Sequence, residues 1–174
     1  MGTLRVLGID PGLKGALAWL DTKGGLHEVE DMPTLAGVVN ANLLSSLIPS
    51  YGPLECVVVE TQQAYPKQGV SSSFKTGVGF GIIIGVVAGL NLPVYYWHSS
   101  QWKRILHLSN DKELSRKKAL ERWPHRLDDF KLKKHEGRAE AALLAASWLR
   151  SEDRGAFLTE RYQPKRPRKL VRLR

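Results

Sequence analysis

Four carboxylates in this 174-residue chain stand where core packing gives no reason for them. Asp10 ends the apolar run Leu4–Ile9 and is followed at once by Pro11 and Gly12. Glu60 ends a second, nearly continuous apolar run, "LECVVVE". Glu136 and Glu140 are four apart in "HEGRAEAALLAASWLR", the spacing of one helix face. If the two acid-tipped strands are parallel neighbours, both acids lie at one sheet edge, where ligand sites of open α/β sheets form. Close carboxylates repel, and one must keep its proton unless a cation lies between them. A hard divalent ion removes that conflict, and oxygen donors select Mg²⁺ or Mn²⁺. His135 is a further candidate ligand. Each acid also has an ordinary structural role. Asp before Pro-Gly is a common turn residue, and Glu in the first turn of a helix complements its dipole. The set argues for chemistry more strongly than its members do.

Elements of both kinds must position these groups. Leu4–Asp10, Gly15–Leu20 and Leu26–Asp31 read as three antiparallel strands, with "DTKGG" as a turn. Leu35, Val38, Val39, Leu43, Leu44, Leu47 and Ile48 recur at helical spacing and predict an amphipathic helix over 34–48. Leu54–Glu60 has the composition of a central strand buried on both faces. A polar loop, Thr61–Ser73, leads to an apolar helix. Pro93–His98 is a fifth strand, and the helix from Ser99 to Leu108 opens on a serine cap. A charged helix over 110–124 and an Ala-rich one over 135–150 follow. The order βββ-α-β-α-β-α-α-α predicts an α/β fold, a five-stranded mixed sheet flanked by helices. On the last helix, alanines around Glu140 permit close approach to the sheet and bring a carboxylate down onto it.

Composition is that of one globular domain, 43% hydrophobic and 25% charged, with a formal net charge of +9. Seven Lys/Arg and no acid fall in 161–174, so the rest of the chain is close to neutral. We expect a domain over 1–155 and a basic, flexible tail over 156–174. Such a tail calls for a polyanion, nucleic acid first and membrane surface second; a solvated solubilising tail is the bland alternative. The single cysteine, Cys56, excludes a disulfide framework within the chain and points to a reducing cytoplasm. It reads as a small buried residue. No signal peptide is visible. Residues 76–102 carry no charge, but the continuous apolar part, Gly77–Leu90, would span only about 21 Å as a helix. That is short of the ~30 Å hydrocarbon layer, so a buried helix and no membrane span is expected. Gly77, Gly81, Gly85 and Gly89 form a stripe on that helix, able to pack on its own sheet or on a second copy.

The ordered set "GIDPG", "VVVE", "LPVYYWHSSQWKRIL", "DKELSRKKAL" and "GRAEAALLA" resembles the RuvC-type Holliday junction resolvases of the RNase H-like superfamily. The likeness runs from about Leu4 to Leu149, and "HEGRAEA" is similar to the phage-type branch. It implies an RNase H-like fold and a homodimer acting on four-way junctions, since symmetrical cutting of two strands needs two sites. It also implies phosphodiester hydrolysis by two Mg²⁺ ions about 4 Å apart. Asp10 would bridge both ions, and Glu60 and Glu140 would hold one each. The family's remaining ligand falls at Gly137, which cannot ligate; Glu136 would substitute, with His135 as the alternative. Lys103 and Lys112 match basic residues that support catalysis by steadying phosphate charge. Tyr65, Lys67 and Phe74 lie in the region that reaches the junction centre, where an aromatic can stack on a base. Phe74 reads equally as the first core residue of its helix. Lys117, Lys165, Arg166, Arg168 and Lys169 are candidate phosphate contacts. A flap or replication-fork nuclease and a non-cleaving junction-binding protein are the competing readings.

Overall fold

The structure is a computed structural model that describes residues 3–63, 68–109 and 111–151, with Lys112 described in its backbone only. Strands β1 (Arg5–Asp10), β2 (Ala16–Asp21) and β3 (Leu26–Asp31) form an antiparallel meander. A two-stranded hairpin, β4 (Thr34–Leu35) and β5 (Val38–Val39), leads to helix α1 (Ala41–Leu47). β6 (Leu54–Glu60) then pairs parallel to β1, and after α2 (Val70–Gly89) β7 (Val94–Trp97) pairs parallel to β6. Helices α3 (Ser99–Ile105), α4 (Lys112–Arg122), α5 (Leu127–Phe130) and α6 (Glu136–Arg150) follow among the described residues. The sheet order β3-β2-β1-β6-β7 is the expected mixed five-stranded sheet flanked by helices.

Alternation along the strands divides the core in two. Val6 on β1, with Cys56 and Val58 on β6, faces α3, α4 and α6, where Trp97, Trp102, Leu143 and Trp148 pack. Leu7, Ile9, Val57 and Val59 face α1 and α2, against Leu44, Ile48, Ile83 and Val87. β1 and β6 pair through Ile9 and Val59, so the next residues are Asp10 and Glu60. By the same two-residue period both acids project to the α6 face. α6 lies tight on β1: a Cβ at Gly8 would collide with the Ala141 carbonyl oxygen and sit 3.0 Å from Ala145 Cβ. Only glycine permits that approach, and it lowers Glu140 toward the strand ends. Cys56 is a buried free thiol, as expected.

Three local expectations are corrected. The helix predicted over 34–48 is the β4–β5 hairpin followed by the short α1. Ala36 and Gly37 take positive φ (52° and 76°), the backbone of a two-residue hairpin loop, and Leu35, Val38 and Val39 satisfy a helical spacing without forming one. The Asn40 carboxamide then caps α1 by accepting from Leu43 N at 3.1 Å. At α3 the cap is His98, whose backbone N–H donates to Gln101 Oε1 at 2.8 Å, and not a serine.

Helix α2 also differs from its expected form. It starts at Val70 and has 20 residues, long and apolar enough by length and composition to cross a membrane. The length argument against a span therefore fails. It is not a buried helix either: only Ile83 and Val87 are buried, and they dock it on the sheet. The glycine stripe faces away from the sheet, with nothing within 4 Å of a Cβ built at Gly77, Gly81, Gly85 or Gly89. Phe74 is 71% exposed, so it is not a core residue.

Candidate active site

One cleft of about 1160 Å³ collects the acids. Asp10, Glu60, Glu136 and Glu140 all line it, together with Lys103, Asp31, Lys14, Lys133, Lys134, Gln62 and Ser99. It continues past Gly12, Leu13 and Lys14 into a second groove, of about 760 Å³, edged by Ser71, Ser72, Lys75 and Thr76 of α2.

Each acid has a distinct setting. Glu60 is half-buried at the end of β6, and Trp102 Nε1 donates to its Oε2 at 2.7 Å. Burial pushes the Glu60 carboxyl above its ordinary range, and the neighbouring Glu140 charge adds to this. The Trp102 hydrogen bond, Lys103 and His98 oppose the rise without cancelling it. Glu140 is buried on α6. Lys103 Nζ lies 3.1 Å from its Oε1 as an ion pair, and that oxygen accepts no hydrogen bond among the described residues. Asp10 lies against the first turn of α6: a Cβ at Gly137 would stand 3.1 Å from Asp10 Oδ2 and 2.5 Å from the Lys14 carbonyl oxygen. Gly137 is thus filled space, and a ligand side chain there would evict Asp10 or the β1–β2 turn. Opposite, the Arg138 guanidinium grips Asp31 through two hydrogen bonds of 2.6 and 2.7 Å and holds that carboxyl below its ordinary range.

The other candidates separate. His135 is buried but does not line the cleft. It feels Arg138, Lys134, Asp31 and Asp129, and burial followed by the two cations pushes its pKa down. Of the two candidates for the fourth ligand, Glu136 lines the cleft and His135 does not. Phe74 borders a smaller apolar hollow with Leu13, Val38 and Val78. Lys117 is exposed on α4, outside the cleft lining. Tyr65, Lys67, Lys165, Arg166, Arg168 and Lys169 lie outside the described residues, as does the Lys112 side chain. Sequence reasoning missed Trp102, Lys14, Lys133 and Lys134. The lysines had a signal, since Lys14 stands two residues after "GIDPG" and Lys133 and Lys134 directly precede "HEG"; Trp102 read only as an apolar helix residue.

The donor chemistry fits a hard divalent cation. The acids supply oxygen only, two of them are partly or fully removed from water, and Lys103 is already drawn in as a counter-charge. Among the described residues no three acidic, histidine or cysteine side chains close around a single point. The arrangement is an open, acid-lined cleft with a lysine in it.

No protein-family model matches the chain, and no curated protein does. Solved structures do. The chain is similar to Thermus thermophilus RuvC in complex with a Holliday junction substrate, with a TM-score of 0.58 and 22% identity over 84% of this chain and 95% of that one. A second Thermus thermophilus RuvC structure gives a TM-score of 0.57 and 21% identity over 84% and 96%. The fold is RuvC-like. The expected five-stranded mixed sheet and its flanking helices are those of this fold. In this RuvC-like fold the acid-bearing strand ends and α6 share one face, the arrangement that the two-residue and four-residue spacings require.

Proposed function

We propose that this chain is a structure-selective endodeoxyribonuclease that hydrolyses phosphodiesters in branched DNA, four-way junctions first. The observation that carries the reading is the gathering of Asp10, Glu60 and Glu140 in one cleft of a RuvC-like fold, from three elements distant in the chain. The solved neighbour bound to a Holliday junction substrate supports the choice of substrate.

Asp10, Glu60 and Glu140 would hold Mg²⁺ or Mn²⁺, with two ions expected and Glu136 completing the donor set. Divalent ions supply a nucleophilic water at neutral pH and charge neutralisation at the phosphate. The protein's own contribution is positioning. β1 and β6 fix two carboxylates on a rigid sheet edge, and α6 brings the third over them. Lys103, drawn in by Glu140, offers a positive group to phosphate charge that develops in the cleft. Lys14, Lys133 and Lys134 edge the cleft and suit a phosphate backbone, a contact without sequence reading. Phe74, exposed beside the groove, suits stacking on an unpaired base. Two sites are needed to cut a junction symmetrically, and a two-fold dimer through the open stripe of α2 would supply them. The basic tail would add phosphate contacts.

The competing reading, a junction-binding protein without cleavage, draws support from Gly137, which leaves the family's fourth ligand without a side chain. A labelled four-way junction, a flap and a plain duplex, each titrated with Mg²⁺, test the reading. Paired symmetrical nicks in the junction are expected. Flap preference would move the assignment to a fork nuclease, and binding without product would give the non-cleaving alternative. Asp10→Asn should retain junction binding and lose cleavage; full cleavage by that variant would remove Asp10 from the mechanism.

A further inference from the structure

Glu60 of β6 and Glu140 of α6 are each met by a residue of α3, and the two residues are consecutive. Trp102 donates to Glu60 and Lys103 pairs with Glu140. Neighbours on a helix point about 100° apart, so adjacent residues reach separate partners. The strand pairing of Glu60 with Trp97 brings the end of β7 beside the acid, and the chain turns at His98 into α3. Residue 102 then lies one turn in, level with Glu60. The Trp102 ring is completely buried, so its N–H has no water and must find an acceptor inside the protein. Glu60 Oε2 is that acceptor. Lys103 adds a second tie, its ammonium 5.1 Å from the Trp102 ring centroid.

We propose that Trp102 is a positioning residue: its indole N–H fixes the rotamer of Glu60, occupies Oε2 and leaves Oε1 to face a cation in the cleft. This rests on the reading of Glu60 as a metal ligand. The indole is to Glu60 what an outer hydrogen-bond partner is to any ligating carboxylate, and loss of such partners typically weakens metal binding about 10–100-fold. A bulky apolar residue at 102 would pack the core equally well but leave the carboxylate free to rotate.

The test compares Trp102→Phe with Trp123→Phe. Trp123 is a second buried tryptophan, whose Nε1 donates to the Gly24 carbonyl oxygen at 3.1 Å, away from the cleft lining. Both variants lose one buried indole hydrogen bond, so both should lose comparable thermal stability. Calorimetric Mg²⁺ titration should show binding about 10–100-fold weaker for Trp102→Phe and unchanged for Trp123→Phe. Equal affinity for Trp102→Phe and wild type, or equal weakening in both variants, would overturn the proposal. A second readout needs neither metal nor a stable tryptophan variant. In the ¹H–¹⁵N spectrum of the metal-free protein, Glu60→Gln should shift one indole N–H signal of the five tryptophans. No shifted indole would mean that the bond is absent in solution, which also overturns it. If the wild-type protein binds no Mg²⁺, the nuclease reading falls and this proposal with it; if it binds and Trp102→Phe binds as well, only the role of Trp102 falls.

Discussion

Glu60 illustrates how a site can cost the fold that carries it. Burial lifts its carboxyl above the ordinary value of 4.5, and the Glu140 charge adds to that. The folded state therefore holds the Glu60 proton more tightly than the unfolded state does. The resulting stabilisation is complete below about 4.5 and is lost as pH rises through the raised value. Glu60→Gln removes this dependence. The variant should melt higher than wild type at pH 7 in the absence of divalent ions, by roughly 2–4 °C for each kcal/mol relieved. The gap should close below pH 4.5 and narrow when Mg²⁺ is added to the wild type. Melting curves across pH check this; a Glu60→Gln variant less stable than wild type at every pH would contradict the account. Lys103 acts in the opposite sense. Side-chain exposures of 9% and 8% make Lys103–Glu140 a desolvated pair, in which the ammonium offsets a charge that the fold would otherwise bury alone.

At the scale of elements, α6 is set by two glycines, one on each partner. Gly8 lets the helix approach β1, and Gly137 lets its first turn accept the Asp10 carboxylate. Gly137→Asp would install the residue type that the resemblance to the resolvases implies at that position, yet the space is already taken by Lys14 and Asp10. The variant should be less stable by about 1–3 kcal/mol, the usual cost of overpacking, and should cleave no better. A Gly137→Asp protein of wild-type stability with higher activity would show that α6 can shift. The elements legible in sequence were those with strong single patterns. "LECVVVE" gave β6 to the residue because β-branched residues ran unbroken to a charge. "HEGRAEAALLAASWLR" gave α6, since alanine and leucine repeat at helical spacing. The 34–48 segment misled because a hairpin with a two-residue loop repeats apolar residues at nearly helical intervals. The length of α2 was hidden by its serine-rich first turns, and which side of it met the sheet depended on tertiary packing that no local pattern encodes. Of the candidate site, the placing of Asp10, Glu60 and Glu140 along one cleft was legible from their strand-end and helix-face positions. Trp102 was not, because an indole that serves a carboxylate has the same sequence appearance as one that fills a core.

On the scale of the whole molecule, the RuvC-like fold holds its acids on one side of the sheet and leaves α2 largely bare on the other. Apolar residues with a bare glycine stripe favour close contact with another helix, and a second copy is the partner that the proposed four-way junction substrate would call for. Sedimentation at micromolar concentration should show a dimer. Paired substitution of Gly81 and Gly85 by glutamate, at positions with open space in the single chain, should give a folded monomer that nicks a junction without paired cuts. Wild-type protein that stays monomeric would remove α2 as an interface. The central claim, however, is that acids far apart in the chain jointly hold divalent ions. The most direct measurement is anomalous scattering from crystals soaked in Mn²⁺. One or two peaks are expected in the cleft within coordination distance of Asp10, Glu60 and Glu140, and these should disappear in Asp10→Asn. A cleft without Mn²⁺ at concentrations that fill ordinary Mg²⁺ sites, with Lys103 still paired to Glu140, would contradict it.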